Sequence, residues 1–307
     1  DGPASGKDQG RAIAAEDSEL FYVGGYTPVA MESNNTWLRR HGADGSTIWT
    51  EAYNGVSASS DIIRAIALDG IGGLVAVGHT TVTGEGQNVW MRRYSEGGVA
   101  TWTRTFGGAG LGNDSGIAVA VAGDGSIYVG GAETVPGEGY NMWLAHLDQD
   151  GNTLWTRVRN GPANKADYIN GVVALPGGDA IVCGYEGMAD IPWQAWIRRY
   201  DNAGGIVWTT TYDGETHEGA YCDGIARDSA GDLVFTGGEN VDGVRRIMVR
   251  KLAEDGSTRW GTTVPPAAAG PDFGRGVAIG PDDSIYVVGA ADMGTDARDL
   301  WVGRFRR

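Results

Sequence analysis

Tryptophan recurs along this chain at two positions of a repeat about 53 residues long, and this spacing limits the fold more than any other feature. Ten of the eleven tryptophans occupy the two positions, at intervals of 51 to 54 residues. One set is Trp37, Trp90, Trp143, Trp196 and Trp301, with Ile247 in the sixth place, and the other is Trp49, Trp102, Trp155, Trp208 and Trp260. The chain is therefore six copies of one unit, and a period of this size is typical of propellers and related arrays.

Each copy has four short segments in which apolar and polar residues alternate. In copy three they cover residues 114–120, 126–131, 141–147 and 152–158, and Gly, Asp or Pro turns separate them. This alternation predicts antiparallel strands, which we name A to D within each copy, joined by hairpins. We therefore predict an all-β protein, a six-bladed β-propeller of four-stranded antiparallel blades in a single domain over residues 1–307. The predicted blades cover approximately residues 8–55, 61–108, 114–161, 167–214, 220–270 and 272–307.

The sixth copy differs from the others because the sequence stops in its strand C, so the seam blade is expected to be incomplete. Gly2 and Asp8 have the same spacing as Gly55 and Asp61, which suggests that the chain begins just after a strand D. Either the seam blade has three strands, or residues outside this sequence supply the fourth. Closure by a strand from the other terminus is one solution to an exposed sheet edge.

Two further positions recur in every copy. Strand B ends on a glycine, which predicts a bulge or a positive φ; the glycines are Gly24, Gly78, Gly130, Gly184, Gly237 and Gly289. Strand C carries a basic residue; the six are Arg40, Arg93, His146, Arg199, Arg250 and Arg304. They form either a ring of cations for an anion or one structural ion pair per blade. Acids of the A–B turns favour the structural interpretation; they are Asp69, Asp124, Asp179, Asp228 and Asp283.

Charge and composition exclude several classes of partner. The net charge of −15 repels phosphate backbones, so we expect no nucleic-acid partner. No apolar run reaches 18 residues, so we expect no membrane span, and we expect a monomer. Cys183 stands where other copies carry Val or Thr, which predicts a small buried residue rather than half of a disulfide with Cys222.

Carboxylates recur where strand A begins. In a propeller, the D–A and B–C connections lie on one face around the axial opening. Asp8, Asp61, Asp114 and Asp272 share one repeat position there, and Tyr168 and Ala220 replace the acid in copies four and five. These axial carboxylates could hold a cation such as calcium, or they could cap backbone amides or stay solvated, which we favour. We expect no other cofactor.

Copies four and five break the regular pattern. Trp193 is the one tryptophan outside the two sets, in a B–C loop. Six residues are near it in the repeat frame: Asp167, Tyr168, His217, Glu218, Tyr221 and Asp223. A residue that departs from its five equivalents is free of their packing role, and a Trp beside carboxylates is typical of a sugar- or peptide-binding patch. The alternative is ordinary loop packing with Trp193 folded onto the blade.

The composite repeat contains D-x-G-x-A-V-A-x-D-x-x-G-x-I-Y-V-x-G, then N-x-W-x-x-R-Y/L, then D-G-x-x-x-W-T, most clearly in residues 114–130, 141–147 and 151–156. It resembles the bacterial β-propeller repeats known as SBBP and delta-60 repeats. Copy five departs most, because Arg245 replaces Asn or Asp and Ile247 replaces Trp. The resemblance implies the propeller fold and an extracellular, periplasmic or cell-surface location, and it implies no chemistry.

No G-x-S-x-G elbow, P-loop, H-E-x-x-H or C-x-x-C motif is present. We therefore expect a non-catalytic binding or scaffold propeller that recognises a protein or a glycan through its top face. One alternative is a propeller lyase or hydrolase with an axial site, in which His217, Glu218, Tyr221 and Asp223 would be the acid–base groups. The other alternative is a carbohydrate-binding lectin.

Overall fold

The computed structural model describes residues 6–30, 33–108, 110–266, 268–294 and 298–306. The predicted fold is confirmed: the protein is a six-bladed β-propeller of antiparallel sheets, and the sixth sheet has three strands where the others have four. In every sheet the strands pair in chain order, as consecutive hairpins. The described residues contain no helix, and so none with the length and hydrophobicity that crossing a bilayer requires.

The chain divides into two compact units. The first contains Asp1–Arg159 and Pro176–Gly178, and the second contains Asn160–Leu175 and Asp179–Arg307. In the first unit the strands are β1 (Gln9–Ala15), β2 (Leu20–Val29), β3 (Ser33–Gly42), β4 (Thr47–Tyr53), β5 (Ile62–Leu68), β6 (Leu74–Val82), β7 (Gly86–Tyr94), β8 (Ala100–Phe106), β9 (Ser115–Val121), β10 (Ile127–Val135), β11 (Gly139–Leu147) and β12 (Thr153–Arg159). In the second unit they are β13 (Tyr168–Ala174), β14 (Ala180–Gly187), β15 (Trp193–Tyr200), β16 (Ile206–Tyr212), β17 (Ala220–Arg227), β18 (Leu233–Val241), β19 (Val244–Leu252), β20 (Thr258–Thr263), β21 (Phe273–Ile279), β22 (Ile285–Asp292) and β23 (Arg298–Phe305).

The two tryptophan positions have different packing roles. Strand C indoles such as Trp90, Trp143 and Trp196 are at most 1 % exposed. Strand D indoles lie at the edge of a sheet and reach the next copy, where Trp102 Nε1 donates to the Gln149 carbonyl at 3.1 Å. A Cβ on Gly151 would lie 3.0 Å from that ring, so the C–D turn needs glycine there. Copies two to four therefore contain one buried ring each, and Trp49, Trp102 and Trp208 each fasten a sheet to its neighbour within a unit.

The recurring strand B glycine marks a bulge, as predicted. In every sheet it pairs with strand A beside a register shift, and a Cβ there would lie far inside van der Waals contact with a strand A carbonyl oxygen. The glycines are Gly25, Gly78, Gly131, Gly184, Gly237 and Gly289. Gly24 and Gly130 were therefore the wrong choice in copies one and three, by one residue. None of the six has a positive φ.

The predicted register of copy five is also wrong by one residue. Met248, not Ile247, pairs with Gly237 and occupies the tryptophan position of strand C. The cause is the B–C hairpin, which turns on two residues, Asp242 and Gly243, with φ values of 51° and 73°. Asp-Gly is a preferred pair for this tight turn, and it is one residue shorter than the loop in copies two and three.

The basic residues of strand C form structural ion pairs in five copies, which confirms the structural interpretation there. The pairs are Arg40–Glu16, Arg93–Asp69, Arg199–Asp179, Lys251–Asp228 and Arg304–Asp282, with N···O distances of 2.6 to 2.9 Å. Lys251 takes the place predicted for Arg250, because of the register change in copy five, and Asp282 rather than the predicted Asp283 pairs with Arg304 in copy six. In copy three, His146 stacks on Tyr128 with ring centroids 4.1 Å apart.

The two cysteines form a disulfide, so the expectation of unpaired cysteines is wrong. Cys183 in β14 and Cys222 in β17 have Cα atoms 5.8 Å apart, and both are fully buried in the apolar cluster between the fourth and fifth sheets. The bond joins strand B of one copy to strand A of the next. Neither cysteine is left free.

Equivalent positions in other copies give the physical reason for this bond. Where strand B faces strand A of the next copy, one of the two residues is glycine; the pairs are Gly24 with Ile63, Val77 with Gly116, and Thr236 with Gly274. A Cβ on Gly116 would lie only 3.4 Å from the Val77 Cβ. The space holds one side chain, and two cysteines fit it because bonded sulfurs approach more closely than unbonded atoms.

Candidate functional site

Most of the predicted axial carboxylates bind the protein's own backbone. Asp61 is fully buried and accepts the Gly55 amide at 2.6 Å and the Thr81 amide at 3.2 Å. Asp114 is also fully buried and accepts the amides of Gly108 at 2.5 Å and Thr134 at 2.7 Å. Each carboxylate thus ties the D–A connection to the end of strand B, which is the amide-capping role that the sequence favoured.

The same role accounts for Asp167, which was predicted as a ligand-binding residue. It is fully buried and accepts the amides of Gly161 at 2.5 Å and Gly187 at 2.8 Å. Asp167, and not Tyr168, is therefore the copy-four equivalent of these aspartates. Asp272 is similarly buried and accepts the Asp292 amide at 2.9 Å.

Asp8 differs because it is exposed, and it accepts a hydrogen bond from the Thr27 hydroxyl at 2.7 Å. Copy five has Ala220 at this position, so it has no clamp of this kind. Nowhere in the described part of the chain do three His, Cys, Asp or Glu side chains converge as metal ligands. The geometry offers the axial carboxylates as backbone clamps rather than as ligands.

Trp193, at the start of β15, belongs to an aromatic cluster of the second unit. Its ring centroid lies 5.9 Å from that of Tyr221 and 6.3 Å from that of Tyr185, both edge-on. Tyr168 extends the cluster, with its centroid 5.4 Å from that of Tyr185. Trp193 and Tyr185 are partly buried, and burial raises the pKa of Tyr221 to about 12.

Arginines complete this cluster. The Arg245 guanidinium carbon lies 4.8 Å from the Trp193 ring centroid and 4.9 Å from that of Phe273, and Arg298 lies 4.4 Å from Phe273. These four side chains, with Pro192 and neighbouring loop residues, line a cleft of about 550 Å³. Rings of this kind attract a guanidinium through their quadrupole, so the arginines are held against the walls of the cleft.

The cleft and the aromatic cluster beside it are built from two repeat positions. Trp193, Arg245 and Arg298 each stand three residues before the residue of strand C that pairs with the strand B glycine. Tyr168, Tyr221 and Phe273 each stand one residue before the strand A partner of that glycine. Successive sheets thus contribute equivalent side chains to one surface of the second unit.

Asp223 lies beside the cluster. Its carboxylate accepts from Asn170 Nδ2 at 3.0 Å and from Arg275 Nη1 at 2.8 Å. Burial raises the pKa of Asp223 to about 6, against the opposing charge of Arg275. The three residues share the bulge position of strand A in the fourth, fifth and sixth sheets.

His217 and Glu218 belong to the D–A connection of copy five. His217 is exposed, has a φ of 57°, and places Nδ1 2.9 Å from Asp213. Glu218 accepts the Gly243 amide at 2.7 Å and so fastens this connection to the B–C hairpin. Three of the seven predicted site residues, Asp167, His217 and Glu218, therefore make contacts within loops. The other four lie in or beside the aromatic cluster; they are Trp193, Tyr168, Tyr221 and Asp223.

The sequence prediction missed Tyr185, Phe273, Arg298 and the role of Arg245. The sequence showed that Arg245 departs from the repeat, but the one-residue register error aligned it with the Asn or Asp of the other copies. In the correct register Arg245 is the equivalent of Trp193. The spacing of the second tryptophan set carried the signal, since Trp208 and Trp260 are 52 residues apart, as are Trp196 and Met248.

No family model matches this sequence, and no curated protein matches it either. Among solved structures, the chain is similar to a protein of unknown function from Dyadobacter fermentans DSM 18053, with a TM-score of 0.61 and 12% identity over 97% of this chain and 94% of that one. It is also similar to Sqt1 from Chaetomium thermophilum, with a TM-score of 0.51 and 14% identity over 93% of this chain and 81% of that one. At these identities the likeness shows the fold alone.

Proposed function

We propose that this protein is a non-catalytic binding propeller whose ligand enters the cleft formed by Trp193, Arg245, Phe273 and Arg298. The observation that carries the proposal is the cleft itself, about 550 Å³ in volume and walled by aromatic rings and guanidinium groups. Concave sites with apolar walls and a few polar groups are the usual places for ligands. A protein or a glycan is the proposed partner.

Departure from the repeat supports this choice of site. At the same two positions the first unit carries mostly small or neutral polar residues; they are Asn34, Gln87 and Tyr140, and Gln9, Ile62 and Ser115. The propeller forms with either set, so packing does not require the aromatic and basic side chains of the second unit. Side chains that the fold does not need are candidates for recognition.

The proposal is tested by measuring binding of the wild type and of Trp193→Ala to an array of neutral and acidic glycans and to immobilised peptides. We expect Trp193→Ala to lose at least tenfold in affinity for whichever ligand the wild type binds. Trp37→Ala is the matched control, because Trp37 also stacks on an arginine, with Arg39 4.6 Å from its ring centroid, and lines a smaller cleft. Equal loss in both variants, or binding unaffected by Trp193→Ala, contradicts the proposal.

We also propose that the protein is a monomer outside the cytoplasm, on the cell surface, in the periplasm or secreted, as its resemblance to SBBP and delta-60 repeats implies. The disulfide between Cys183 and Cys222 supports this location, since such bonds persist in oxidising compartments. Thiol labelling of the protein in its native source tests it. Labelling of both cysteines under denaturing conditions without reductant would place the protein in a reducing compartment.

A further inference from the structure

We infer that the ligand of this cleft is an acidic glycan, and that the cleft receives a uronate residue, a sugar ring that carries a carboxylate. The inference rests on the proposed function, because it assigns a ligand class to the same site. It follows from the charge of the cleft, from the way its arginines are held, and from the backbone that surrounds it.

The charge of the cleft is positive in a protein of net charge −15. Arg245 and Arg298 both line it, and among the described residues no carboxylate lies within 4 Å of either guanidinium. Nearby arginines do have acids, since Arg246 lies 3.6 Å from Asp272 and Arg275 lies 2.8 Å from Asp223. No Asp or Glu is among the described residues that line the cleft. Arg245 interacts with Asp223 only at longer range, so the two arginines leave the cleft electrostatically complementary to an anion.

The shape of the cations suits an oxyanion such as a carboxylate. A guanidinium is a planar fork that matches the two oxygens of a carboxylate with parallel hydrogen bonds. Arg245 is held between two rings, with its guanidinium carbon 4.8 Å from the Trp193 centroid and 4.9 Å from the Phe273 centroid. A side chain that is already held loses less conformational entropy when the ligand binds, so each hydrogen bond it makes contributes more to the affinity for the ligand.

The backbone around the cleft does not suit an extended peptide. The Asn240 amide donates to the Gly219 carbonyl, the Gly243 amide donates to Glu218, and the Asp272 amide donates to the Arg245 carbonyl. A peptide that adds as a strand needs free amides and carbonyls along a sheet edge. The cleft instead lies where β15, β19, β21 and β23 begin. A sugar ring needs an aromatic wall for its C–H groups and a few polar groups for its substituents, and Trp193 and the arginines supply both.

The experiment is calorimetric titration of the wild type with three uronate oligosaccharides: tetragalacturonate, tetramannuronate and a hyaluronan tetrasaccharide. We expect at least one to bind, with affinity that falls as NaCl rises from 20 to 300 mM. The methyl ester of that oligosaccharide should bind at least tenfold more weakly, because esterification removes the charge and keeps the sugar. A sulfated neutral tetrasaccharide and a hexaglutamate peptide should also bind at least tenfold more weakly than the uronate.

Two variants connect that binding to the cleft. Arg298→Gln changes an exposed side chain, and Arg245→Gln changes the partly buried one held between Trp193 and Phe273; each should weaken uronate binding at least tenfold. Arg259→Gln is the charge-matched control, since Arg259 is 56% exposed and lies 3.4 Å from Asp232, and it should bind within twofold of the wild type. Melting curves identify any variant that fails to fold, and Arg298→Gln remains decisive if Arg245→Gln does.

Three results overturn the inference: no uronate binds below 1 mM, the ester binds as well as the acid, or the sulfated sugar or the peptide binds more tightly. If one of these results occurs together with Trp193-dependent binding of a neutral glycan or a peptide on the array, the ligand class is contradicted. That combination is consistent with the proposed function. Absence of Trp193-dependent binding on every arm removes both.

Discussion

The two units of this protein use the same repeat in different ways. At the packing positions they agree, and the strand C tryptophans are buried in both, as Trp143 and Trp196 show. At the starts of strands A and C they differ. Gln87 and Ser115 in the first unit correspond to Arg245 and Phe273 in the second. Positions between sheets follow the geometry of the repeat, whereas positions at strand ends are free to acquire a binding role.

The disulfide occurs only in the second unit, and breaking it should destabilise the protein strongly. It closes a loop with a sequence separation of 39 residues, for which loop entropy predicts a stabilisation of roughly 3–4 kcal/mol. We expect reduction to lower the free energy of unfolding by about that amount in urea titrations.

The double variant Cys183→Val and Cys222→Gly is the matched control, because it restores the pair found at Val77 and Gly116 in the first unit. Its stability should not respond to reductant and should be at least that of the reduced wild type. A wild type whose unfolding is indifferent to reductant would contradict the bond.

The buried aspartate clamps allow a second comparison. Asp114 accepts two backbone amides in the first unit, whereas copy five in the second unit has Ala220 at that position. Asp114→Ala leaves both amides without their acceptor, which should cost about 2–4 kcal/mol in the free energy of unfolding.

Asp8→Ala is the control for this prediction. Because Asp8 is exposed, its substitution should lower the free energy of unfolding by less than about 1 kcal/mol. Equal and small losses at Asp8 and Asp114 would mean that the buried carboxylate does not act as a clamp.

The pH dependence of stability sharpens the comparison at the strand A bulge. The second unit has Asp223 there with a pKa raised to about 6 by burial, whereas the equivalent residues of the first unit are Arg11, Arg64 and Ile117. The folded state therefore holds this proton at a higher pH than the unfolded state does. The stabilisation is complete below about pH 4 and is lost as pH rises through about 6, with a magnitude on the order of 3 kcal/mol.

Unfolding titrations of the wild type and Asp223→Asn between pH 4 and pH 7 measure this contribution. As pH rises, the free energy of unfolding of the wild type should fall relative to that of the variant. A constant difference across this range would show that Asp223 titrates with an ordinary pKa.

The sequence predicted the fold, the four strands of the first five copies and the incomplete sixth blade, because these depend on tryptophan spacing and alternation. It offered Trp193, Tyr168, Tyr221 and Asp223 as site candidates because copies four and five depart from the repeat, and these four residues lie in or beside the aromatic cluster. Arg298 and Phe273 were missed because the site was sought only in copies four and five. The disulfide was missed because Cys183 was compared only with the equivalent strand B residues of the other copies. The side chain that fits at this position depends on the strand A residue of the next copy that faces it.

The most direct test is the free energy of unfolding of Trp193→Ala measured beside that of Trp143→Ala. Trp143 packs between sheets, and its loss should cost roughly 3–5 kcal/mol. Trp193→Ala should lower the free energy of unfolding by less than about 1.5 kcal/mol and keep the melting temperature within a few degrees of the wild type. Its affinity for the ligand should fall at least tenfold. Comparable destabilisation by the two substitutions would show that Trp193 is a core residue, and the cleft would no longer be separable from the packing of the repeat.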